Sequence, residues 1–428
     1  MIRRIHSSSS LPLALLAVVS LLSLAARVAW LEQPCRSPCR SATDHILIFD
    51  ESYYVNAARV IAGVHPPAGA TYADAPLGDD PNAEHPQLAK LVMAGSIELF
   101  GDGPLAWRLG SLLCGSLAIL GLYALVRAAG GSSAVALGAS ALMALDNLLL
   151  VHGRIGTLDI YALAAMVWAA VAYLRGRPII AGALIGIGAC CKLVAPYLLP
   201  VLAAFEALRW LTDRTEAKRR LGRLGACVAS AAGVFFALLA VLDRVAPPYD
   251  PVAHKLITGG PFAHLAHMVS YAASQSSPSG PSGIASYPWE WLIDLKPITY
   301  LNINPARPAP GLYHIHPAAH FLGMISPPVL LLAVPALALA LPLSARLQND
   351  VGVLTLAWFM GTFVPFELLS LIWNRTSYLY YMVVVMPGIY IAVAQLLAGS
   401  RVNRRVVAVW ALAVLVAAIV MYPFTPLP

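Results

Sequence analysis

Residues 145–159 read Leu145-Asp146-Asn147-Leu148-Leu149-Leu150-Val151-His152-Gly153-Arg154-Ile155-Gly156-Thr157-Leu158-Asp159, with an apolar run on either side, at 132–150 and 159–174. Two aspartates, a histidine and an arginine in so short a stretch cannot all face hydrocarbon, so they converge on one another or on a polar cavity. An internal ion-pair cluster and a functional site both satisfy that demand.

Working outward, apolar runs recur near 11–30, 105–126, 179–191, 193–209, 224–242, 322–343, 351–372, 376–398 and 406–422. Crossing a bilayer core takes roughly 20 residues of helix, so these runs predict an all-α polytopic membrane protein of about eleven transmembrane helices. Composition agrees: of 428 residues 59% are hydrophobic and 11% charged, with mean hydropathy +0.72, against about 25% charged in a soluble domain. A soluble enzyme, a disordered chain and a secreted scaffold held by disulfides are excluded, the last because six cysteines are too few.

Lys and Arg are retained on the cytoplasmic side of short loops. With the N-terminus inside, Arg3, Arg4, Arg127, Arg175, Arg177, Arg209, Arg214, Lys218, Arg219, Arg220, Arg223, Arg346, Arg401, Arg404 and Arg405 fall in the cytoplasm, 15 of the 28 basic residues. Only Glu206, Asp213, Glu216 and Asp350 join them, so the inside carries +11 and the outside −4. An N-in, C-out protein follows, integral to the plasma or inner membrane. The overall +7 is explained by topology and anionic headgroups, without a nucleic acid. The first run is a span or a cleaved signal peptide ending near Ser23-Leu24-Ala25.

The chain reads as one membrane-embedded domain, 1–428, with two larger extracytoplasmic loops, 31–104 and 243–321. The first holds Cys35 and Cys39, a pair that an oxidising compartment could close into a small loop, zinc being the alternative. Cys114, Cys190, Cys191 and Cys227 read as apolar packing residues.

Ionisable residues at the outer ends of spans are functional candidates. Phe49-Asp50-Glu51-Ser52-Tyr53-Tyr54 leads into an amphipathic run over 55–62, where adjacent carboxylates also suit a helix N-terminus. Glu84-His85-Pro86-Gln87-Leu88-Ala89-Lys90 opens a second helical stretch to Phe100, with Pro86 at its first turn. Lys192 breaks an apolar run between two spans and Arg375 does so near the tenth; either could simply snorkel. The acceptor-like Asn374-Arg375-Thr376 lies against a span and is discounted as a glycosylation site. Tyr287 to Tyr300, with Trp289 and Trp291 beside Glu290, Asp294 and Lys296, reads as an element at headgroup level. His264, His267, His314, His316 and His320 lack clear thiolate or carboxylate partners for zinc, so solvated loop histidines are the reading, and no metal site is assigned. No Gly-rich phosphate loop, G-x-S-x-G or H-E-x-x-H motif occurs.

In this order the pieces resemble the protein O-mannosyltransferase family, the dolichyl-phosphate-mannose-protein mannosyltransferases of the membrane C-type glycosyltransferase fold. Asp50-Glu51 looks like the family's acidic pair, and His85 to Lys90 is similar to its His-Pro-Pro-Leu-Gly-Lys element, with Gln87 and Ala89 in place of Pro and Gly. Asp146 through Arg154 to Asp159, Cys191-Lys192, Pro288-Trp289-Glu290-Trp291-Leu292 and Arg375 to Pro387 match further elements.

The resemblance implies an inverting glycosyltransferase that moves a sugar, mannose first, from a polyprenyl-phosphate donor to a Ser/Thr hydroxyl of secreted or membrane proteins outside the cytoplasm. Asp50 is then the catalytic base, with Glu51 holding it or a polar neighbour. Arg154, ranked first, with Lys90, Lys192, Arg375 and His85, binds the donor phosphate. Asp159, Asp146, Trp289 and Trp291 contact the acceptor or shape the cavity. No tightly bound cofactor is expected and a divalent metal is not favoured. The 79 residues of 243–321 are short of the β-trefoil that eukaryotic members carry there, so lipid A or another glycan is the alternative acceptor. A secondary transporter or flippase is the alternative of another class, disfavoured by the lack of internal repeats and by charge gathered at one face.

Overall fold

The computed structural model describes residues 10–36, 39–212, 214–303, 318–399 and 402–425. Arg3, Arg4, Asp213 and Arg401 of the expected cytoplasmic set, and His314 and His316, lie outside them. The helices are α1 (Ser10–Val28), α2 (Glu51–Ile61), α3 (Leu88–Phe100), α4 (Pro104–Ala128), α5 (Ser133–Leu145), α6 (Asn147–His152), α7 (Asp159–Leu174), α8 (Pro178–Cys191), α9 (Leu198–Thr212), α10 (Ala217–Val245), α11 (Gly260–Ser274), α12 (Pro288–Trp291), α13 (Pro327–Leu347), α14 (Val351–Trp373), α15 (Met382–Gly399) and α16 (Arg404–Val420). Short strands β1 (Tyr249–Asp250) and β2 (Lys255–Leu256) form one antiparallel pair. Strands β3 (Ile298–Ile303), β4 (Ala318–Gly323) and β5 (Phe424–Thr425) form an antiparallel sheet in the order β3-β4-β5.

Each expected span overlaps a helix, and among the described residues six helical segments are long and apolar enough to cross a membrane: Ser10–Val28, Pro104–Ala128, Ala217–Val245, Pro327–Leu347, Val351–Trp373 and Leu379–Gly399. The rest are shorter, and their breaks have local causes. Asp146 ends one helix and caps the next, its Oδ1 accepting from the amides of Leu148 at 2.9 Å and Leu149 at 3.4 Å, so the expected span 132–150 divides into α5 and α6. Proline opens α4, α8, α11 and α13, where its missing amide costs nothing. The expected span from 322 begins at Pro327, because 318–323 pairs as β4. The all-α expectation is corrected to that extent: a mostly helical protein carries two small sheets.

Helices α7 and α15 are apolar and buried almost all round and form the centre. Helices α1, α10 and α16 turn Leu21, Leu22, Val241, Val409 and Ile419 outward, as a bilayer-facing rim requires. Small residues let backbones meet: a Cβ at Gly182 of α8 would lie 2.2 Å from the Cys227 carbonyl of α10. Both larger loops collect at one end of the bundle, where α2, α3, α11 and β3–β4 cover the ends of α4, α6, α7 and α8.

Candidate active site

The site is built on the first turn of α2. Glu51 is fully buried and takes a two-pronged ion pair from Arg108 of α4, Nε to Oε1 at 2.8 Å and Nη2 to Oε2 at 2.9 Å. It also accepts from the amides of Ile48 at 2.8 Å and Gly156 at 2.7 Å. One carboxylate thus ties the start of α2 to α4 and to the loop after α6, with all its bonds to charged or backbone donors. Its neighbour Asp50 is the N-cap residue, half-buried, and among the described residues no donor is bonded to its carboxylate. Burial raises the Asp50 carboxyl to about 7, with Lys192 pulling down and Asp159 pushing up.

Lys192 follows α8, and its Nζ lies 2.7 Å from Asp159 Oδ1 in the first turn of α7 and 5.4 Å from the centre of the Tyr380 ring. His85 stands edge-on to Tyr54 at 5.8 Å. Burial, then the charges of Lys192, Lys90 and Arg375, hold its imidazole well below the usual range, so it is neutral. Arg375 follows the left-handed Asn374 that ends α14, and its Nη1 donates to the Gln275 carbonyl at 3.0 Å. Asp50, His85, Asp159, Lys192 and Arg375 therefore gather at one place.

The aromatic wall comes from the second loop. A register shift between Thr299 and Leu301 leaves Tyr300 as a bulged residue, a device that re-aims a side chain. Its ring stacks on Phe49 at 4.1 Å and its hydroxyl meets His152 Nε2 at 2.9 Å. Tyr380 stands edge-on to Phe49 at 5.6 Å.

Other expected site residues are engaged elsewhere. Arg154, expected to lead on phosphate, is buried with its guanidinium on the carbonyls at the end of α1: Arg27 at 2.8 Å, Ala29 at 2.6 Å, Trp30 at 2.6 Å and Ala26 at 3.3 Å. It serves the orphan acceptors of a helix C-terminus and lies over Phe424 at 4.6 Å. Lys90 is fully buried, its Nζ on Asp80 Oδ2 at 2.6 Å, the Asn82 carbonyl at 2.5 Å and the His85 carbonyl at 2.9 Å. It shapes the turn that presents His85. Asp146 caps α6 and accepts from the Ser326 amide at 3.0 Å. Trp291 is a core residue that donates to Ser286 Oγ at 2.8 Å and backs Tyr381, whereas Trp289 is exposed and stacks on Tyr287 at 4.2 Å. Sequence reasoning passed over Arg108 and Tyr300. An arginine one turn into an apolar run was a signal for the first; nothing in the sequence announced the bulge that turns Tyr300 inward.

Cys35 and Cys39 form a disulfide, with His45 beside it. A cavity of about 1130 Å³ between α1, α5 and α16, lined by Leu22, Ala26, Trp30, Leu150, Ile419 and Phe424, includes none of the Asp50 group.

The fold is shared with solved membrane glycosyltransferase structures, and part of the sequence is similar to protein mannosyltransferases. Over 96% of this chain and 89% of the other it superposes on the yeast (S. cerevisiae) protein O-mannosyltransferase Pmt1-Pmt2 complex bound to the sugar donor, with a TM-score of 0.66 at 13% identity. ArnT from Cupriavidus metallidurans bound to undecaprenyl phosphate matches with a TM-score of 0.54 at 18% identity, over 94% and 62% of the two chains. Residues 84–240 match the family model of the dolichyl-phosphate-mannose-protein mannosyltransferases. A polyprenol-phosphate-mannose–protein mannosyltransferase of Corynebacterium glutamicum is 35% identical over 130 residues, 30% of this chain and 24% of the relative. The chain thus matches about a quarter of that relative's length.

Proposed function

We propose that this protein is an inverting, polyprenyl-phosphate-dependent glycosyltransferase, moving mannose to a Ser/Thr hydroxyl of exported proteins. The observation that carries the reading is the unengaged Asp50 carboxylate, poised near neutrality beside Lys192, His85 and Arg375. A base with that pKa accepts the acceptor hydroxyl's proton at neutral pH. The hydroxyl oxygen bonds to the anomeric carbon as the bond from that carbon to the phosphate oxygen breaks. The phosphate leaves with the electron pair, already stable as an anion, so it needs no acid, unlike the leaving groups of glycoside hydrolases. Arg375, whose Nη1 donates to the Gln275 carbonyl, and Lys192 supply positive charge where water is scarce. Neutral His85 donates to or orients the phosphate.

The same reading sets the membrane around the site. Eleven crossings with the N-terminus inside and the C-terminus outside place the arginines of 214–223 in the cytoplasm and Asp50 outside it, where a flipped polyprenyl-linked sugar is presented. The experiment is transfer of radiolabelled mannose from polyprenyl-phosphate-mannose to a Ser/Thr peptide by purified protein in detergent, with Asp50→Asn as control. Transfer lost in the variant supports the reading. A folded wild-type protein that transfers neither to peptide nor to glycan or lipid A acceptors overturns it.

A further inference from the structure

Helix α11 crosses the end of α10 and the segment 80–90. Leu265 and Met268 enter a small apolar cluster with Phe235, Leu239 and Leu242 of α10 and Cys190 of α8. Above it His264 is fully buried, its Nδ1 2.7 Å from Asp243 Oδ1 and its Nε2 3.0 Å from the Ala83 carbonyl oxygen. A backbone carbonyl has no proton to give. Asp243 Oδ1 also accepts from Gln87 Nε2 at 2.8 Å, and the same Nε2 donates to the Ala246 carbonyl at 3.2 Å, which fixes which way the Gln87 amide points. Both ring nitrogens of His264 therefore face acceptors. A neutral imidazole has one N–H and one lone pair, so it would either set its lone pair against the Asp243 carboxylate oxygen at 2.7 Å or leave the buried Ala83 carbonyl without that donor.

We infer that His264 is a buried imidazolium paired with Asp243, and that this charge positions the turn carrying His85. The turn is then held by two cations, His264 on the Ala83 carbonyl and Lys90 on the carbonyls of Asn82 and His85. The other charged or titratable groups around it are His267 on α11, which feels His264, and Asp250, which His267 feels. On 80–90 they are the Asp80–Lys90 pair and Glu84; on α8, Cys190, which feels Asp243. His264 touches no reacting atom and is a positioning residue. That role rests on the transferase reading above, whereas the charge state does not.

Nitrogen-15 NMR of histidine-labelled wild-type protein in detergent tests the charge state at pH 7. One imidazolium with two slowly exchanging ring N–H signals is expected, lost in His264→Gln, with Asp243→Asn stripping the second proton. Hydrogen exchange read by mass spectrometry tests the positioning: His264→Gln is expected to speed exchange across 82–90 about tenfold while α13–α15 stay protected. A neutral buried ring in the wild type, or unchanged exchange in a folded variant, overturns the inference. Should His264→Gln fail to fold, the wild-type spectrum alone decides. A wild type that transfers no mannose sinks the transferase reading and leaves both measurements standing; an active wild type with a neutral ring sinks this inference alone.

Discussion

His152 Nε2 and the Tyr300 hydroxyl, 148 positions apart in the chain, lie 2.9 Å from one another. Nδ1 of the same histidine is 3.9 Å from Asp159 Oδ2, and Asp159 holds Lys192. The pair therefore joins the second loop to the ends of α6, α7 and α8. Because Tyr300 also stacks on Phe49, the residue before Asp50, the loop's position and the base's position are one mechanical fact. Tyr300→Phe keeps the stack and removes the bond. Loss of a buried hydrogen bond costs about 1–3 kcal/mol, so melting is expected a few degrees lower and transfer several-fold slower, with donor affinity retained. A variant indistinguishable from wild type in calorimetry and turnover would reduce the pair to packing.

Asp50 and Glu51 are adjacent carboxylates with different expected failures. Asp50→Asn is expected to lower turnover by about a hundredfold or more with melting and donor binding near wild type, since no donor among the described residues bonds to that carboxylate. Glu51→Gln breaks a buried pair with Arg108 and loosens α2 from α4, so it is expected to lose about 3–5 kcal/mol of stability, seen first as a lower melting temperature. Equal stability losses in the two variants would contradict the division of labour.

The pH dependence follows from Asp50. A base works deprotonated, and burial raises this carboxyl to about 7, so turnover should be low well below neutrality and rise with pH through about 7. Lys192 is the group that pulls it down and Asp159 the one that pushes it up. Lys192→Met removes the first and leaves the second uncompensated, and both effects move the rising limb to higher pH. A limb that stays in place in kcat/KM profiles of this variant would assign it to another group.

The helices were legible in the sequence because apolar runs near the length of a bilayer crossing have few alternatives. The small sheets were not, since β4 is continuous in hydropathy with the span that follows it. At the site, Asp50, Asp159 and Lys192 were legible as charges that lipid would penalise. Their separation from Arg154 and Lys90 was not. A charge in an apolar stretch reports that it needs a partner, and not whether the partner is a ligand or the protein's own carbonyls. For Arg154 four carbonyls at the end of α1 meet the need, a fact of tertiary packing invisible in a linear pattern.

That distinction can be measured by pairing two arginines. Arg154→Ala strands several buried carbonyls, each worth about 1–3 kcal/mol when left without a donor, so the expected outcome is a marked fall in melting temperature and yield. Any folded fraction should bind polyprenyl-phosphate-mannose as the wild type does, because this guanidinium is committed to α1. Among the described residues Arg375→Ala leaves only the Gln275 carbonyl without that donor, so stability should change little. Losing a charge-assisted bond to phosphate is worth about 1.5–3 kcal/mol, so donor KM should rise about tenfold or more. Donor titration and calorimetry on both variants separate the roles: weakened donor binding by Arg154→Ala at unchanged melting would return Arg154 to the phosphate, and unchanged donor binding by Arg375→Ala would remove Arg375 from it.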